Sequence, residues 1–275
     1  MKSIAVIILN YMTWQETLRE VDAVAPLLAG KPHEIIVVDN CSPNDSAQQL
    51  EAHAPGRFTF LRSERNGGYA AGNNIGLRYA AERGFRYCWI LNNDIEFHDS
   101  AVLPKMLSVF DRDPAIAAVS PDIYAPDGYL FNRDALRPTL WDLTFGMLSY
   151  KKRGRAEAEA KKGWLYVYRP QGCCMLLDTQ KLQEVGFMDE HTFLYCEEVI
   201  LAERLLAVGA LCACCSDTGV IHNHSYSVRK ALSKLDYVKS NVRSFQYYLK
   251  QYRKFAFPTR TLCCIFYALK VLVLK

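Results

Sequence analysis

Trp89-Ile90-Leu91-Asn92-Asn93-Asp94 and Ile35-Ile36-Val37-Val38-Asp39-Asn40 are two short apolar runs, each ending in an acid where a strand would meet its loop. A brief, continuous apolar run bounded by turn residues reads as a strand buried on both faces. Strands of that kind belong to parallel sheets covered by helices, and such sheets bind ligands beyond the carboxyl ends of their strands. Asp39 and Asp94 therefore fall on the same edge of one sheet, a placement that suits a nucleotide diphosphate.

The flanking sequence extends this pattern. Residues 4–9 are a third apolar run, and Thr13-Trp14-Gln15-Glu16 after it has the spacing of a capping box, so a helix is expected there. Leu18, Val21, Ala25 and Leu28 recur at helical spacing, and Gly30 with Pro32 stops the helix before the strand that ends at Asp39. Strand, helix, strand in so few residues implies a right-handed crossover and parallel pairing. The alternation continues, with a helix from Asn44 or Ser46, a strand over 57–61, a helix over about 71–83, the strand before Asp94, a helix over 103–110 and a strand over 116–119. Residues 1–120 thus read as a doubly wound βα unit, a nucleotide-binding half. From 121 to 162 the rhythm breaks into aromatics, turns and the charged run Lys151-Lys152-Arg153-Gly154-Arg155. Strands over 164–168, 173–177 and 211–215, a helix over about 193–208 and a long helix over about 234–254 follow.

Half of the 275 residues are hydrophobic, ample for a large core, which excludes a disordered chain. The net charge of +4 is unevenly spread: residues 229–275 hold eleven Lys or Arg against the single acid Asp236. A tail this basic, interleaved with Tyr and Phe, suits an anionic membrane surface or nucleic acid, or else forms a solvated basic helix packed on the body. The ten cysteines lie mostly inside apolar runs and read as small buried hydrophobes in a reducing cytosol. The first apolar run is too short for a signal peptide. Residues 261–274, apolar except for Lys270, fall short of the ~20 needed to span a bilayer.

Several residue groups can carry chemistry. Asp39 can accept hydrogen bonds from a nucleobase or ribose, or else cap the turn that follows it. In Asn66-Gly67-Gly68-Tyr69-Ala70-Ala71-Gly72-Asn73 the glycines allow close backbone approach, and amides opening a helix favour phosphate. Asp94 can bind Mg²⁺ or Mn²⁺, with diphosphate oxygens and water completing the shell. His222 lies past another strand and can add a nitrogen ligand, while Ser225, Ser227 and Arg229 can hold phosphate. Glu197 and Glu198 open a helix, where acids often only complement its dipole. Adjacent side chains diverge by about 100° on a helix, so one of the two faces a site.

Together these segments resemble the inverting glycosyltransferases of family 2, and most closely its rhamnosyltransferase-like members. The segment from Val38 to Ser46 is similar to the family's Val-Asp-Asn-x-Ser-x-Asp-Gly-Ser, and that from Asn66 to Leu77 to its Asn-x-Gly-Phe-Ala-x-Gly-Asn-Asn-x-Gly. Asn92-Asn93-Asp94 stands where Asp-x-Asp belongs. Gly186 to Glu190 and Phe193 to Arg204 are similar to Gly-x-Phe-Asp-Glu and Glu-Asp-x-Asp-Leu-x-x-Arg. The resemblance implies a GT-A fold, a Rossmann-like, mostly parallel twisted sheet flanked by helices. Residues 1–228 would form that domain, divided at 120 into nucleotide-binding and acceptor halves, and 229–275 a basic, aromatic, helical tail. It also implies roles. Asp39, Asn10 and Tyr11 would hold the nucleoside, with Asn66, Gly67, Asn73, Asn92, Ser225, Ser227 and Arg229 also on the donor. Asp94 and His222 would hold Mg²⁺ or Mn²⁺, and Glu198, with Glu197 beside it, would be the catalytic base. The chain departs from the family at Glu198, usually Asp, at Ile200, usually an acid, and at Asn92, usually Asp.

The expected activity is transfer of a sugar from a nucleotide-diphosphate donor, dTDP-rhamnose or a UDP-sugar. The acceptor would be a glycan or lipid-linked oligosaccharide of bacterial surface polysaccharide synthesis. The protein would sit in the cytoplasm, peripheral at the inner face of the membrane, with no nucleic acid partner. Two alternatives remain. A nucleotidyltransferase would carry a Gly-rich, Arg-containing loop after the first strand, whereas Asn10-Tyr11-Met12-Thr13-Trp14 has no glycine. A noncatalytic nucleotide-sugar or membrane-binding module would accommodate the departures at 198 and 200.

Overall fold

The computed structural model describes residues 3–146, 163–223 and 234–273. Four parallel strands form the first half of the sheet: β1 (Ile4–Asn10), β2 (His33–Asp39), β3 (Thr59–Arg62) and β4 (Tyr87–Leu91) lie in the order β3-β2-β1-β4. Helices α1 (Trp14–Val24), α2 (Ser46–His53) and α3 (Gly68–Glu82) connect them. Because side chains alternate along a strand, β1 feeds two cores. Ile4, Val6 and Ile8 pack with Val21 and Val24 of α1 on one face, and Ala5 and Ile7 with Ala70, Leu77 and Ala80 of α3 on the other. All of these except Val21 are wholly buried, which accounts for unbroken apolar runs instead of alternating ones.

Beyond β4 the order continues β8-β6-β9-β5, from β5 (Ile95–Phe97), β6 (Ile116–Tyr124), β8 (Cys174–Asp178) and β9 (Leu211–His222), with β7 (Trp164–Val167) also on β9. Parallel pairing holds for the first half and for β6 with β9, whereas β4–β8, β6–β8, β5–β9 and β7–β9 are antiparallel. The sheet is mixed but mostly parallel, as expected: β1, β2, β3, β4, β6 and β9 run one way, and β5, β7 and β8 the other. β8 follows β7 after only six residues, and both run antiparallel to the β6–β9 pair. Helices α4 (Val102–Phe110), α5 (Thr179–Glu184) and α6 (Glu197–Ala207) complete the two covering layers.

Several local expectations change. The Thr13 hydroxyl makes no capping bond to α1; it accepts from Asn93 Nδ2 at 2.8 Å instead. Pro26 turns the last part of the first helix into a 3₁₀ turn over Ala25–Leu28. Strand β5 and helix α5 are too short to show hydrophobic periodicity. Cys212 and Cys215 have Cys-x-x-Cys spacing, but an offset of three along a strand sends them to opposite faces, one in each core.

The basic tail is docked on the body. Helices α7 (Lys234–Gln251) and α8 (Phe257–Val273) build a third apolar cluster, in which Phe245, Tyr248, Leu249 and Cys263 surround Ile200 of α6. Position 200, where the family usually has an acid, is here an apolar anchor for the tail. Two buried carboxylates reinforce it. Glu203 accepts from Arg137 at 2.8 and 2.6 Å and from Tyr168 Oη at 2.6 Å, and Tyr168 Oη lies 2.9 Å from Tyr248 Oη. Asp189 accepts from Tyr247 Oη at 2.8 Å and from Tyr252 Oη.

Candidate active site

Asp39 ends β2 wholly buried, and its carboxylate already has three donors. Asn10 Nδ2 lies at 2.7 Å, Ser42 Oγ at 2.6 Å and the Ser42 amide at 2.9 Å. A buried carboxylate needs such partners, and these tie the loop after β2 to the end of β1. The network runs on: Thr17 Oγ1 donates to Asn10 Oδ1 at 2.9 Å, and Asn93 Nδ2 donates to Thr17 Oγ1 at 2.9 Å. Through Asn10 and Thr17 the network from Asp39 reaches Asn93, the neighbour of Asp94 in the chain. Tyr11 is half-buried beside it.

Asp94 and His222 come together because β5 pairs with β9, which puts Ile95 opposite His222. His222 Nε2 lies 3.1 Å from Asp94 Oδ1, and both side chains are about nine-tenths buried. Asn92 Nδ2 lies 3.4 Å from the same ring nitrogen. Behind them Glu20 Oε2 accepts from the Ile95 amide at 3.2 Å, and burial pushes its carboxyl up to about 8. One carboxylate oxygen and one imidazole nitrogen at this separation fit neighbouring positions on an octahedral divalent ion, about 3 Å apart for bonds of about 2.1 Å. Among the described residues no group of three or more His, Cys, Asp or Glu side chains is placed to hold a metal. Such an ion would draw its remaining ligands from diphosphate and water.

The two adjacent glutamates meet different environments. The helix expected from 193 begins only at Glu197, because Tyr195 and Cys196 take positive φ values of 74° and 70°. That conformation is strained by about 1 kcal/mol or more for each residue with a Cβ. It directs Glu198 into a cleft of about 470 Å³ lined also by Asn92, Arg169, Gly172, Glu197 and His222. Glu198 Oε1 lies 3.4 Å from the Gly172 amide, and Oε2 lies 4.0 Å from Arg169 Nη1. Glu197, by contrast, is 5% exposed, and its Oε1 has no hydrogen-bond partner. Burial, reinforced by the negative charge of Glu198, holds its carboxyl well above the usual range. Glu198, the part-exposed member of the pair, is thus the one open to a ligand in the cleft.

A family model described as Glycosyl transferase family 2 matches residues 3–186. The chain belongs to that family. The galactofuranosyltransferase GlfT1 of Mycobacterium tuberculosis is 27% identical over 192 residues, 70% of this chain and 60% of that one. The N-acetylglucosaminyl-diphospho-decaprenol L-rhamnosyltransferase of the same organism is 24% identical over 221 residues, covering 73% of this chain and 70% of that protein. The match thus spans 60% of the length of the first of these relatives. Among solved structures, mannosyltransferase PcManGT from Pyrobaculum calidifontis, in complex with GDP-Man and Mn²⁺, matches with a TM-score of 0.60 at 15% identity, over 96% of this chain and 69% of that one. GalNAc-T7 with UDP, GalNAc and Mn²⁺ matches with a TM-score of 0.63 at 17% identity, over 92% and 49%. These likenesses concern the fold, which is GT-A, as the motifs led us to expect.

In this family 2 chain the glycine-rich segment serves packing. The amides that open α3 are occupied: Gly67 N lies 3.4 Å from Asn40 Oδ1, Gly68 N 3.1 Å from Asn66 Oδ1, and Tyr69 N 3.1 Å from the Phe193 carbonyl. Asn66 and Gly67 line a second cavity with Phe193, Arg243 and Tyr247, none of which lines the cleft that holds Glu198. Asn73 is wholly buried and bonds the Tyr69 carbonyl of its own helix at 3.0 Å. The amides at this helix start are thus bonded within the protein, and Gly68 lets the backbone of α3 touch that of Phe193, while Gly67 and Gly72 face side chains. Ser225, Ser227 and Arg229 lie outside the described residues. Sequence reasoning passed over Arg169 and Glu20, which lie in no motif, and over the side chain of Asn93, the unspecified middle residue of its motif.

The inward position of Glu197 has a measurable consequence. Below its ordinary value of 4.5 the carboxyl is protonated whether folded or not. As pH rises the unfolded chain ionises first, so stability falls until the raised folded value is passed. Glu197→Gln is expected to leave the melting temperature unchanged at pH 4 and to add about 1–3 kcal/mol at pH 7.5. A melting series across that range checks it, and a variant that parallels the wild type at every pH would refute the burial argument.

Proposed function

We propose that this protein is an inverting glycosyltransferase. It would move a sugar from a nucleotide-diphosphate donor, dTDP-rhamnose or a UDP-sugar, to a hydroxyl of a glycan or lipid-linked acceptor. The observation that carries the reading is the convergence of Glu198 and His222 on one cleft, with Asp94 Oδ1 3.1 Å from His222 Nε2. The donor's nucleoside would lie along the edge formed by Tyr11, Asn10 and Asp39, with Asn92 near its sugar and diphosphate. Asp94 and His222 would hold Mg²⁺ or Mn²⁺, which stabilises the negative charge gathering on the departing diphosphate. Arg169 adds a fixed positive charge to the same cleft.

Glu198 would act on the acceptor. An acceptor hydroxyl is a weak nucleophile at neutral pH, and a positioned carboxylate that takes its proton contributes ~10²–10⁴ in rate. As the acceptor oxygen bonds to the anomeric carbon, the bond to the diphosphate oxygen breaks on the opposite face. The proton ends on Glu198, and the anomeric centre inverts. The names of the mycobacterial relatives, one of which specifies a diphospho-decaprenol acceptor, support a lipid-linked acceptor here and work at a membrane surface in polysaccharide synthesis.

A thermal-shift panel of nucleotide sugars with and without Mn²⁺ tests the donor side, because a ligand that binds the folded state raises its melting temperature. The correct donor is expected to raise it by several degrees, more with Mn²⁺. Asp94→Asn should abolish the metal-dependent increment. Slow release of nucleoside diphosphate from the same mixtures supports the transferase. Pyrophosphate-dependent nucleoside triphosphate formation would make it a nucleotidyltransferase, and binding without turnover an inert module.

A further inference from the structure

Helix α8 is inside out for a helix on a water-exposed surface. Such a helix turns its apolar stripe to the body and its polar residues to solvent. Here Cys263 and Tyr267 face inward, and the outer stripe is Leu262, Ile265, Leu269 and Leu272, spaced i, i+3, i+7 and i+10. Ile265 is 53% exposed and Leu269 55%. The apolar surface continues off the helix. Phe145 lies edge-on against Phe266 at 4.9 Å between ring centroids and 5.5 Å from Trp141, and Phe145 and Trp141 are 64% and 58% exposed. A contiguous exposed apolar surface of this kind marks an interaction site.

We propose that this face, the outer stripe of α8 with Trp141 and Phe145, lies in the headgroup region of an anionic lipid bilayer. Three observations select lipid. Aromatic side chains accompany the aliphatic stripe, as is usual at the membrane–water boundary. The surrounding segment is strongly basic, eleven Lys or Arg against one acid from residue 229 onward, which complements anionic headgroups. Lastly, α8 also walls the catalytic cleft, to which Tyr267 and Lys270 contribute.

That last point ties docking to the reaction. With the outer stripe in the bilayer, the cleft containing Glu198 lies directly above the headgroups. An acceptor attached to a lipid diphosphate then enters past Lys270 without leaving the membrane. This entry route rests on the lipid-linked acceptor proposed above; the docking face itself does not.

The test is co-sedimentation of the full chain with vesicles of equal parts phosphatidylcholine and phosphatidylglycerol, and with phosphatidylcholine alone. The wild type is expected to partition onto the anionic vesicles, more weakly at high salt. Ile265→Glu with Leu269→Glu should lower partitioning by at least about tenfold, because both side chains are already outside the core. The double variant should keep the wild-type melting temperature and donor hydrolysis. Undiminished partitioning of the variant would overturn the proposal. So would a wild type that ignores vesicles and runs as a dimer that the same substitutions dissociate. Vesicle binding is read without any sugar transfer, so loss of the transferase reading and loss of the docking face remain separate results.

Discussion

Glu198→Gln is expected to lower the rate of sugar transfer by ~10²–10⁴ while leaving the donor-induced rise in melting temperature within error of wild type. The substitution keeps the length and shape of the side chain and its contact with the Gly172 amide at 3.4 Å, and removes only the capacity to take a proton. A loss confined to turnover is the mark of an interaction made in the transition state and not in donor binding. The environment supports the assignment to this glutamate and not to its neighbour. Glu198 is part-exposed in the cleft, whereas Glu197 is buried and held toward its protonated form. Turnover within a few-fold of wild type would remove Glu198 from the mechanism. The usual family residue is one methylene shorter. Glu198 fits here by lying back against Gly172 and Arg169, so Glu198→Asp should restore only part of the rate.

Gly68→Ala is expected to cause the largest loss of stability of any single substitution considered, about 3–5 kcal/mol, or roughly 10 °C in melting temperature. Gly68 has φ of +86°, and a Cβ there would meet the Phe193 carbonyl oxygen at 1.9 Å and its carbon at 2.6 Å. Both are backbone atoms, so no side-chain rotation relieves the clash. Opening the contact would also stretch the Tyr69 N to Phe193 O bond of 3.1 Å. The displaced segment, Phe193 to Cys196, leads straight into Glu197 and Glu198, so the surviving folded protein should also turn over more slowly. Gly84→Ala is the comparison. That glycine also has positive φ, +74°, but an added Cβ would meet nothing within 4 Å, so only the conformational cost of about 1 kcal/mol applies. Equal losses at the two positions would refute the close-contact argument.

Much of the first half was legible because its signals are local. Short apolar runs that stop at Asn or Asp can be read as buried parallel strands without knowing their partners, and β1, β2 and β4 lie within a residue or two of where the runs place them. The start of α6 was not legible. Helical periodicity extends back to Phe193, but left-handed residues at 195 and 196 delay the helix, and nothing in Tyr or Cys announces that conformation. Thr13 shows the same limit. Its spacing to Glu16 satisfies a capping box, yet the hydroxyl is used by Asn93, eighty residues away in sequence. The glycine-rich segment suggested an anion cradle, and only the close approach of Phe193 shows that Gly68 serves a backbone contact.

The sequence by itself determined the family, the α/β alternation and the identity of the residues available for chemistry, because each depends on residue type and near-neighbour spacing. Tertiary structure decided the rest. It paired Asp94 with His222 through β5 and β9, divided Glu197 from Glu198 by burial, and turned the apolar stripe of α8 outward. These are outcomes of long-range packing and desolvation, and both are properties of surroundings that a residue acquires only when distant segments close around it.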